Sequence, residues 1–155
     1  MTKKEPKSAV LSRGQSLFEV VIALGVMTII LVSLVILAAL SISNATFSKN
    51  KTLATRLSQE TVEWLRTERD ISWALFATRA ATPVWCMPIL SWSSGFAGPC
   101  SGSAKIQDTI LERELTFAPT GDPDTVQATV RLFWTDAQGN HESRTTTEFT
   151  NWRNR

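Results

Sequence analysis

The stretch SRGQSLFEVVIALGVMTIILVSLVILAAL, residues Ser12 to Leu40, decides the fold of this 155-residue chain. Its last 21 residues, Val20 to Leu40, contain no charged side chain. At about 1.5 Å per residue, a helix of this length is about 30 Å long, which matches the hydrocarbon core of a bilayer. The stretch therefore predicts one membrane-spanning helix with an acid, Glu19, at its start.

Charge is distributed unevenly along the chain. Residues 1–14 carry a net charge of +3, and since the whole chain carries +2, residues 15–155 carry −1. Because cytoplasmic flanks of membrane helices tend to be basic, we expect residues 1–14 in the cytoplasm and residues after about 44 outside. This predicts a single-pass, N-in/C-out precursor in the cytoplasmic (inner) membrane. The near-neutral body makes a nucleic-acid partner unlikely on electrostatic grounds.

A secretory signal peptide is the competing interpretation, because it also combines a basic start with an apolar segment. Its apolar region is usually about 7–15 residues long and is followed by a small-x-small cleavage site. Here the apolar run is longer, and the small residue that suggests a cleavage point, Gly14, precedes it. Cleavage at Gly14 would keep the apolar helix in the mature protein.

The residues RGQSLFEVVIAL around this glycine resemble the leader-peptidase site of the type IV pilin-like family of prepilins and pseudopilins. The resemblance implies that a prepilin peptidase cuts after Gly14 and that the new amino terminus, Gln15, is methylated. Glu19 is then the fifth mature residue, a position at which the family keeps a glutamate. Gln15 departs from the Phe or Met with which mature family members usually begin.

Glu19 is the residue that this resemblance explains best. A charge deep in a bilayer costs about 2.5–3.5 kcal/mol even on the most lenient scale, so such groups are usually paired. The resemblance implies that Glu19 faces the amino terminus, Gln15, of a neighbouring subunit and sets the axial register of a filament. The simpler alternative is an acid favoured by the helix dipole and close enough to the interface to reach water.

The helix is predicted to continue beyond the membrane, because Ser41 to Asp70 contains neither Gly nor Pro. We predict one helix of about 55 residues, with a transmembrane and filament-core part over 15–43 and an amphipathic part over 44–70. Its second half, TLATRLSQETVEWLRTERDISW, resembles a subgroup of minor pilins (PilV-like) and type I pseudopilins. The amphipathic face repeats at three- and four-residue steps: Ala54, Leu57, Thr61, Trp64 and Leu65. The alternative is two helices broken near Ser41–Asn50.

Residues 71–155 are predicted to form the extracytoplasmic domain, and Thr82–Ser103 is predicted to be a long loop within it. The loop contains three prolines, three glycines and both cysteines of the chain. Outside the cytoplasm Cys86 and Cys100 are expected to oxidise, and closing a loop of this size contributes about 3 kcal/mol. The alternative is two free thiols.

The C-terminal third predicts a small antiparallel sheet over about 106–150. Alternating apolar residues from Val126 to Trp134 form the clearest strand signal, and Thr135–Asn140 supplies a turn before an exposed edge strand, His141–Thr150. A weaker strand covers Ile106–Phe117, because Arg113 interrupts the apolar side formed by Leu111, Leu115 and Phe117. Packing this sheet on the amphipathic half of the helix gives an α+β fold with a long N-terminal helix, which is also the pilin-like arrangement that the resemblance implies.

No catalytic, cofactor or metal motif is recognisable in the sequence, so we predict a protein that is not an enzyme and binds no cofactor. The lone histidine, His141, is expected at a solvated strand end, and Asp122 with Asp124 suits a turn better than a calcium loop. Trp85 and Trp92 are a candidate surface for a sugar or protein partner. The alternative is that both pack beneath the loop.

Together these features predict a structural subunit, a minor pilin or pseudopilin, of a type IV pilus-like filament. The resemblance implies three partners: other pilin subunits, the prepilin peptidase and an inner-membrane assembly platform. The mature subunit is then expected in a periplasmic or cell-surface filament for motility, adhesion, DNA uptake or secretion. The alternatives are a single-span membrane protein with an extracytoplasmic ligand-binding domain, and a tip adhesin or DNA-uptake pilin.

Overall fold

The computed structural model describes the backbone of residues 13–152 and the side chains of residues 17–152. Two compact units make up the chain, one ending at Phe47 and the other beginning at Ser48. Helix α1 (Arg13–Ile71) is a single helix of 59 residues that passes through both. The prediction of one long helix is therefore confirmed, and the alternative with a break near Ser41–Asn50 is wrong.

The unit that begins at Ser48 contains one further helix and one sheet. Helix α2 (Trp73–Ala80) follows α1 after Ser72, whose hydroxyl caps the new helix by accepting a hydrogen bond from the Leu75 amide. The five strands are β1 (Val84–Cys86), β2 (Phe96–Ala97), β3 (Glu112–Pro119), β4 (Thr125–Asp136) and β5 (Gly139–Thr150). The order across the sheet is β2-β1-β3-β4-β5, with all neighbours antiparallel.

One apolar core joins the second half of α1 to this sheet. Ala54 and Leu65 of α1 are fully buried, and they cluster with alternate residues of β3 and β4 such as Leu115 and Val130. Strands β3 and β4 contribute alternate side chains to this core, whereas α1 contributes side chains at steps of three and four residues. The protein thus has the predicted α+β fold, a long N-terminal helix packed on an antiparallel sheet.

The β4–β5 hairpin agrees with the sequence prediction. Asp136 and Gly139 are paired and enclose a two-residue turn, and Gly139, directly after the turn, adopts a φ of +121° that favours glycine. Strand β5 lies at the edge of the sheet, and its side chains alternate between exposed and half-buried. Its polar composition suits an edge, because an apolar edge strand would invite aggregation.

The predicted loop and the predicted weak strand both need correction. Thr82–Ser103 contains two short strands, β1 and β2, which extend the sheet on the side of β3. Strand β3 begins at Glu112 and not at Ile106, because residues 106–109 form a turn in which the Thr109 amide donates to the Ile106 carbonyl. Strands of two or three residues are too short to show an alternation of apolar and polar side chains in the sequence. They form here because β1 pairs with the neighbouring strand β3 and β2 pairs with β1.

Candidate assembly surface

The apolar half of α1 is the largest uncovered apolar surface that the structure describes. Its large apolar side chains from Leu17 to Ile42 are each between 50% and 71% exposed. Soluble monomers seldom expose so large a continuous patch, and such a surface is typical of a segment that a membrane or another protein covers. Among the described residues, α1 is the one helix that is long and apolar enough to span a membrane.

The polar side chains inside this apolar run are satisfied within the helix. Between Val20 and Leu40 the only hydroxyls belong to Thr28 and Ser33. Thr28 donates to the Gly25 carbonyl at 2.7 Å, and Ser33 donates to the Ile29 carbonyl at 2.8 Å. Neither hydroxyl requires water, which suits a helix surrounded by lipid or by apolar helices.

Glu19 is the one ionisable side chain that the structure describes between Leu17 and Phe47. It is exposed, and the next ionisable residue along the chain is Lys49. The predicted cleavage site, Gly14 and Gln15, lies in the first turns of α1, but its side chains are outside the described residues, as is the leader up to Ser12. The described side chains from Leu17 to Phe47 therefore offer no cation to Glu19. A cationic partner for this carboxylate has to come from outside that segment.

Cys86 and Cys100 form a disulfide in the structure, with their Cα atoms 4.9 Å apart. Cys86 ends β1 and is fully buried, whereas Cys100 follows β2. The Cys100 amide also donates to the Glu114 carboxylate on β3, at 3.2 Å. The loop is thus fastened to the sheet at both ends.

Trp85 and Trp92 face inward, so the packing alternative describes them better than a partner surface does. Trp85 is only 8% exposed and donates its indole N–H to the Arg79 carbonyl at 3.0 Å. The Trp92 ring packs against the tilted Trp64 ring of α1, with 4.8 Å between the ring centroids, and its indole N–H donates to the Glu68 carboxylate at 2.8 Å. The two indoles, 5.3 Å apart, join the disulfide loop to α1.

Arg113 is a buried cation that sequence reasoning noticed only as an interruption of a strand. Its side chain, 3% exposed, donates to the Met87 carbonyl at 2.9 Å and to the Thr61 hydroxyl at 3.0 Å. Burial lowers the pKa of Arg113 to about 10, against the opposing effect of the Glu60 carboxylate, so the guanidinium remains charged at neutral pH. The feature of the sequence that indicates this burial is the position of Arg113 on the same strand face as the apolar residues Leu111, Leu115 and Phe117.

His141 is half-buried and paired, which corrects the expectation of a solvated strand end. Its Nε2 lies 2.8 Å from the Asp136 carboxylate, and its ring lies 5.3 Å from that of Trp134. Burial acts to raise the pKa of Asp136, but the hydrogen bonds from the Gln138 amide and from His141, together with the charge of His141, outweigh it, and the pKa falls below its ordinary value of 3.8. Because an ionised carboxylate only accepts, Nε2 carries the hydrogen.

The two aspartates of the candidate calcium loop are engaged in holding their own turn. Asp122 accepts from the Asp124 amide and from the Thr125 hydroxyl, each at 3.0 Å. Asp124 accepts from the Asn151 amide side chain at 3.0 Å. These contacts describe a turn that ties the end of β5 to the start of β4. In the described part of the chain, no group of three or more metal-binding side chains occurs.

Comparisons with known proteins give no relative for this chain: no protein-family model, curated protein or solved structure matches it.

Proposed function

We propose that this protein is a structural subunit, a minor pilin or pseudopilin, of a type IV pilus-like filament. The precursor is inserted N-in/C-out in the cytoplasmic membrane, cut after Gly14 by a prepilin peptidase, and transferred into the filament through α1. The observation that carries the proposal is the uncovered apolar half of α1, whose only ionisable described side chain up to Phe47 is Glu19. The proposed partners are other pilin subunits and an inner-membrane assembly platform.

The acid at the start of the apolar helix, Glu19, supports an assembled helix over a simple membrane anchor. In a plain anchor such an acid gains only the weak attraction of the helix dipole, whereas a helix in a packed bundle can pair it with a cation of its neighbour. After cleavage, the cation closest along the chain is the α-amino group of Gln15, one helical turn from Glu19. The same amine on a neighbouring subunit is the partner that fixes axial register.

Intact-mass and N-terminal peptide analysis of the protein from its native membranes tests this function. We expect a chain that begins at Gln15, with one added methyl group on its amine. A matched pair of variants sharpens the result: Gly14→Leu is expected to remain uncut, and Gly25→Leu, which meets no atom within 4 Å of its new Cβ, is expected to be cut normally. A wild-type chain that begins at Met1 or Thr2 would support the single-span ligand-binding alternative.

A further inference from the structure

Strand β5 forms one edge of the sheet, and half of its backbone groups point away from β4. Paired residues of antiparallel strands alternate between those that exchange backbone hydrogen bonds and those that do not. Directly after β5, the Asn151 amide donates to the Asp124 carbonyl, so the odd-numbered residues of β5 bond to β4 and the even-numbered residues face outward. The Lys51 ammonium agrees with this alternation, because it reaches the Glu142 carbonyl from outside the sheet.

The outward backbone groups of Arg144, Thr146 and Glu148 are open. In the described part of the chain, no backbone hydrogen bond outside the β4–β5 ladder involves these three residues. A bulge or a proline commonly protects a long edge, but β5 pairs with β4 along all of its 12 residues and contains no proline. The opposite edge, β2, has only two residues. The segment from Arg144 to Glu148 is therefore the part of the described sheet that is able to add a further strand.

The exposed side chains of this edge alternate in charge. Arg144 and Glu148 flank Thr146, and all three project from the face of the sheet opposite α1, since Thr145 and Phe149 face the helix. Opposite charges directly across two antiparallel strands stabilise the pair, and like charges destabilise it. An added antiparallel strand is therefore favoured when it places a basic residue opposite Glu148 and an acidic residue opposite Arg144. The same charges oppose strands with any other pattern.

A second copy of β5 would satisfy the same charges, but its direction is wrong. Strand β5 runs in the same direction as α1, because Lys51 contacts Glu142 near the start of the strand and Arg69 lies over the Phe149 ring near its end. Antiparallel pairing of two β5 strands would place their α1 helices in opposite directions. In the proposed N-in/C-out arrangement all copies share one direction, so the added strand comes from a different protein. This choice of partner rests on the proposed function, whereas strand addition does not.

We propose that the edge of β5 is a binding site for an extended segment of a partner protein, which adds to the five-stranded sheet as an antiparallel sixth strand. Its residues opposite Glu148, Thr146 and Arg144 are, in order from its amino end, basic, β-branched and acidic. Each of the three pairs exchanges two backbone hydrogen bonds, about six in all, which supply affinity. The two charged pairs determine which segment binds.

Two capped, fluorescently labelled peptides of the same composition test the site. The first is Thr-Lys-Thr-Val-Thr-Glu-Thr, and the second, Thr-Glu-Thr-Val-Thr-Lys-Thr, exchanges its two charges. Fluorescence anisotropy with the full-length protein in a neutral detergent measures both affinities. We expect the first peptide to bind about tenfold more tightly, because antiparallel addition places its lysine opposite Glu148 and its glutamate opposite Arg144. Arg144→Glu/Glu148→Arg is expected to reverse this preference.

Two variants of Thr146 test whether the backbone edge is the binding surface. The Thr146 amide points outward, so Thr146→Pro removes a donor to the added strand and leaves the hydrogen bonds to β4 in place. This variant is expected to weaken binding of the first peptide at least about tenfold. Thr146→Val keeps the amide and is expected to bind as the wild type does. The two variants are matched, because both lose the side-chain hydrogen bond to Thr129.

Four results would overturn the proposal. Equal affinity of the wild type for both peptides would mean that the charges do not select the strand, and preference for the second peptide would indicate parallel addition. Undiminished binding by Thr146→Pro would place the peptide elsewhere on the protein. A wild-type dimer in analytical ultracentrifugation that Thr146→Pro abolishes would assign the edge to a second copy. The N-terminal mass reports separately on processing, so failure of this site is distinguishable from failure of the proposed function.

Discussion

The Arg113 guanidinium of β3 donates a 3.0 Å hydrogen bond to the hydroxyl of Thr61 on α1. Both residues are buried, and the same guanidinium reaches the Met87 carbonyl just after β1. One charged side chain thus fastens the helix, the central strand and the start of the disulfide loop to one another. A buried cation is costly unless its donors are satisfied, so this arrangement defines how α1 lies on the sheet.

Thr61→Val should destabilise the protein by about 1–3 kcal/mol, because it leaves a buried N–H of Arg113 without its acceptor. Urea unfolding of the detergent-solubilised full chain, followed by tryptophan fluorescence, measures the change. Thr67→Val is the matched control, since Thr67 is exposed and donates to a carbonyl of its own helix. We expect the control to change stability by less than about 0.5 kcal/mol. If both variants lost the same amount of stability, the loss would come from the change in helix propensity and not from the buried hydrogen bond to Arg113.

Reduction of the Cys86–Cys100 disulfide should lower the melting temperature by at least about 10 °C. Closing a loop of this size contributes about 3 kcal/mol, and 1 kcal/mol corresponds to about 4–8 °C in a domain of 60–100 residues. Calorimetry of the wild type with and without reductant gives the shift, and Cys86→Ser/Cys100→Ser should be insensitive to reductant. An unchanged melting temperature on complete reduction would show that the covalent link adds no stability.

Gly95→Ala should destabilise the protein by about 1–3 kcal/mol through overpacking. A Cβ at this position would overlap the thioether sulphur of Met87, and Met87 is fully buried beside the loop. Gly102→Ala is the matched control, because its new methyl group meets nothing within 4 Å. Thermal unfolding of both variants distinguishes crowding from a general effect of replacing a loop glycine. A stable Gly95→Ala variant would mean that Met87 repacks freely.

Loss of the Asp136 carboxylate should weaken the acid sensitivity of the β4–β5 hairpin. Because the pKa of Asp136 is lower in the folded protein than its ordinary value of 3.8, its ionised form adds stability above that value. That stability is lost as the pH falls through the folded-state pKa. Unfolding free energy measured from pH 6 to pH 2 should therefore fall less steeply below about pH 4 in Asp136→Asn than in the wild type.

Asp108→Asn is the control for this pH profile. Asp108 is exposed and has a φ of +58°, a conformation that asparagine also tolerates. The substitution removes one carboxylate outside the β4–β5 hairpin, so it shows whether the effect is specific to Asp136. If the unfolding free energy of Asp136→Asn fell in acid as steeply as that of the wild type, the acid sensitivity would come from other carboxylates.

Glu19→Leu should leave membrane insertion intact and reduce incorporation into filaments about tenfold or more. Without Glu19, the α-amino group of Gln15 on the neighbouring subunit would be buried in the packed helix bundle with no opposite charge beside it. Immunoblots of membrane and sheared-filament fractions measure the two quantities separately. Ser33→Leu, another polar-to-leucine change in the same apolar run, should assemble normally. Equal assembly of both variants would exclude a register role for Glu19.

The sequence predicted the features that repeat over many residues. The uncharged run ahead of Leu40 and the three- and four-residue steps from Ala54 to Leu65 predicted α1, and the alternation from Val126 to Trp134 predicted β4. Such patterns are informative because every residue in the repeat is a further observation in favour of the same helix or strand. Strands β1 and β2 are too short to carry a period, and they form because β3 offers an open edge to Val84–Cys86.

Single side chains depend on the tertiary structure in a different way. Residue type alone left Trp85 and Trp92 open between a partner surface and packing beneath the loop, showed Arg113 only as an interruption of a strand, and predicted His141 in solvent. Their surroundings come from residues distant in the chain, such as Thr61 for Arg113 and Glu68 for Trp92.

The sequence by itself determined a membrane-length helix, an acid at its start, a hairpin and two cysteines, because local pattern and composition are sufficient to specify these. Only the tertiary structure decided which strands border β3, that the buried Arg113 joins the helix to the sheet, and that the loop tryptophans face α1. Those contacts join residues far apart in sequence, and their free energy depends on burial and hydrogen-bond geometry that arise only when the elements pack.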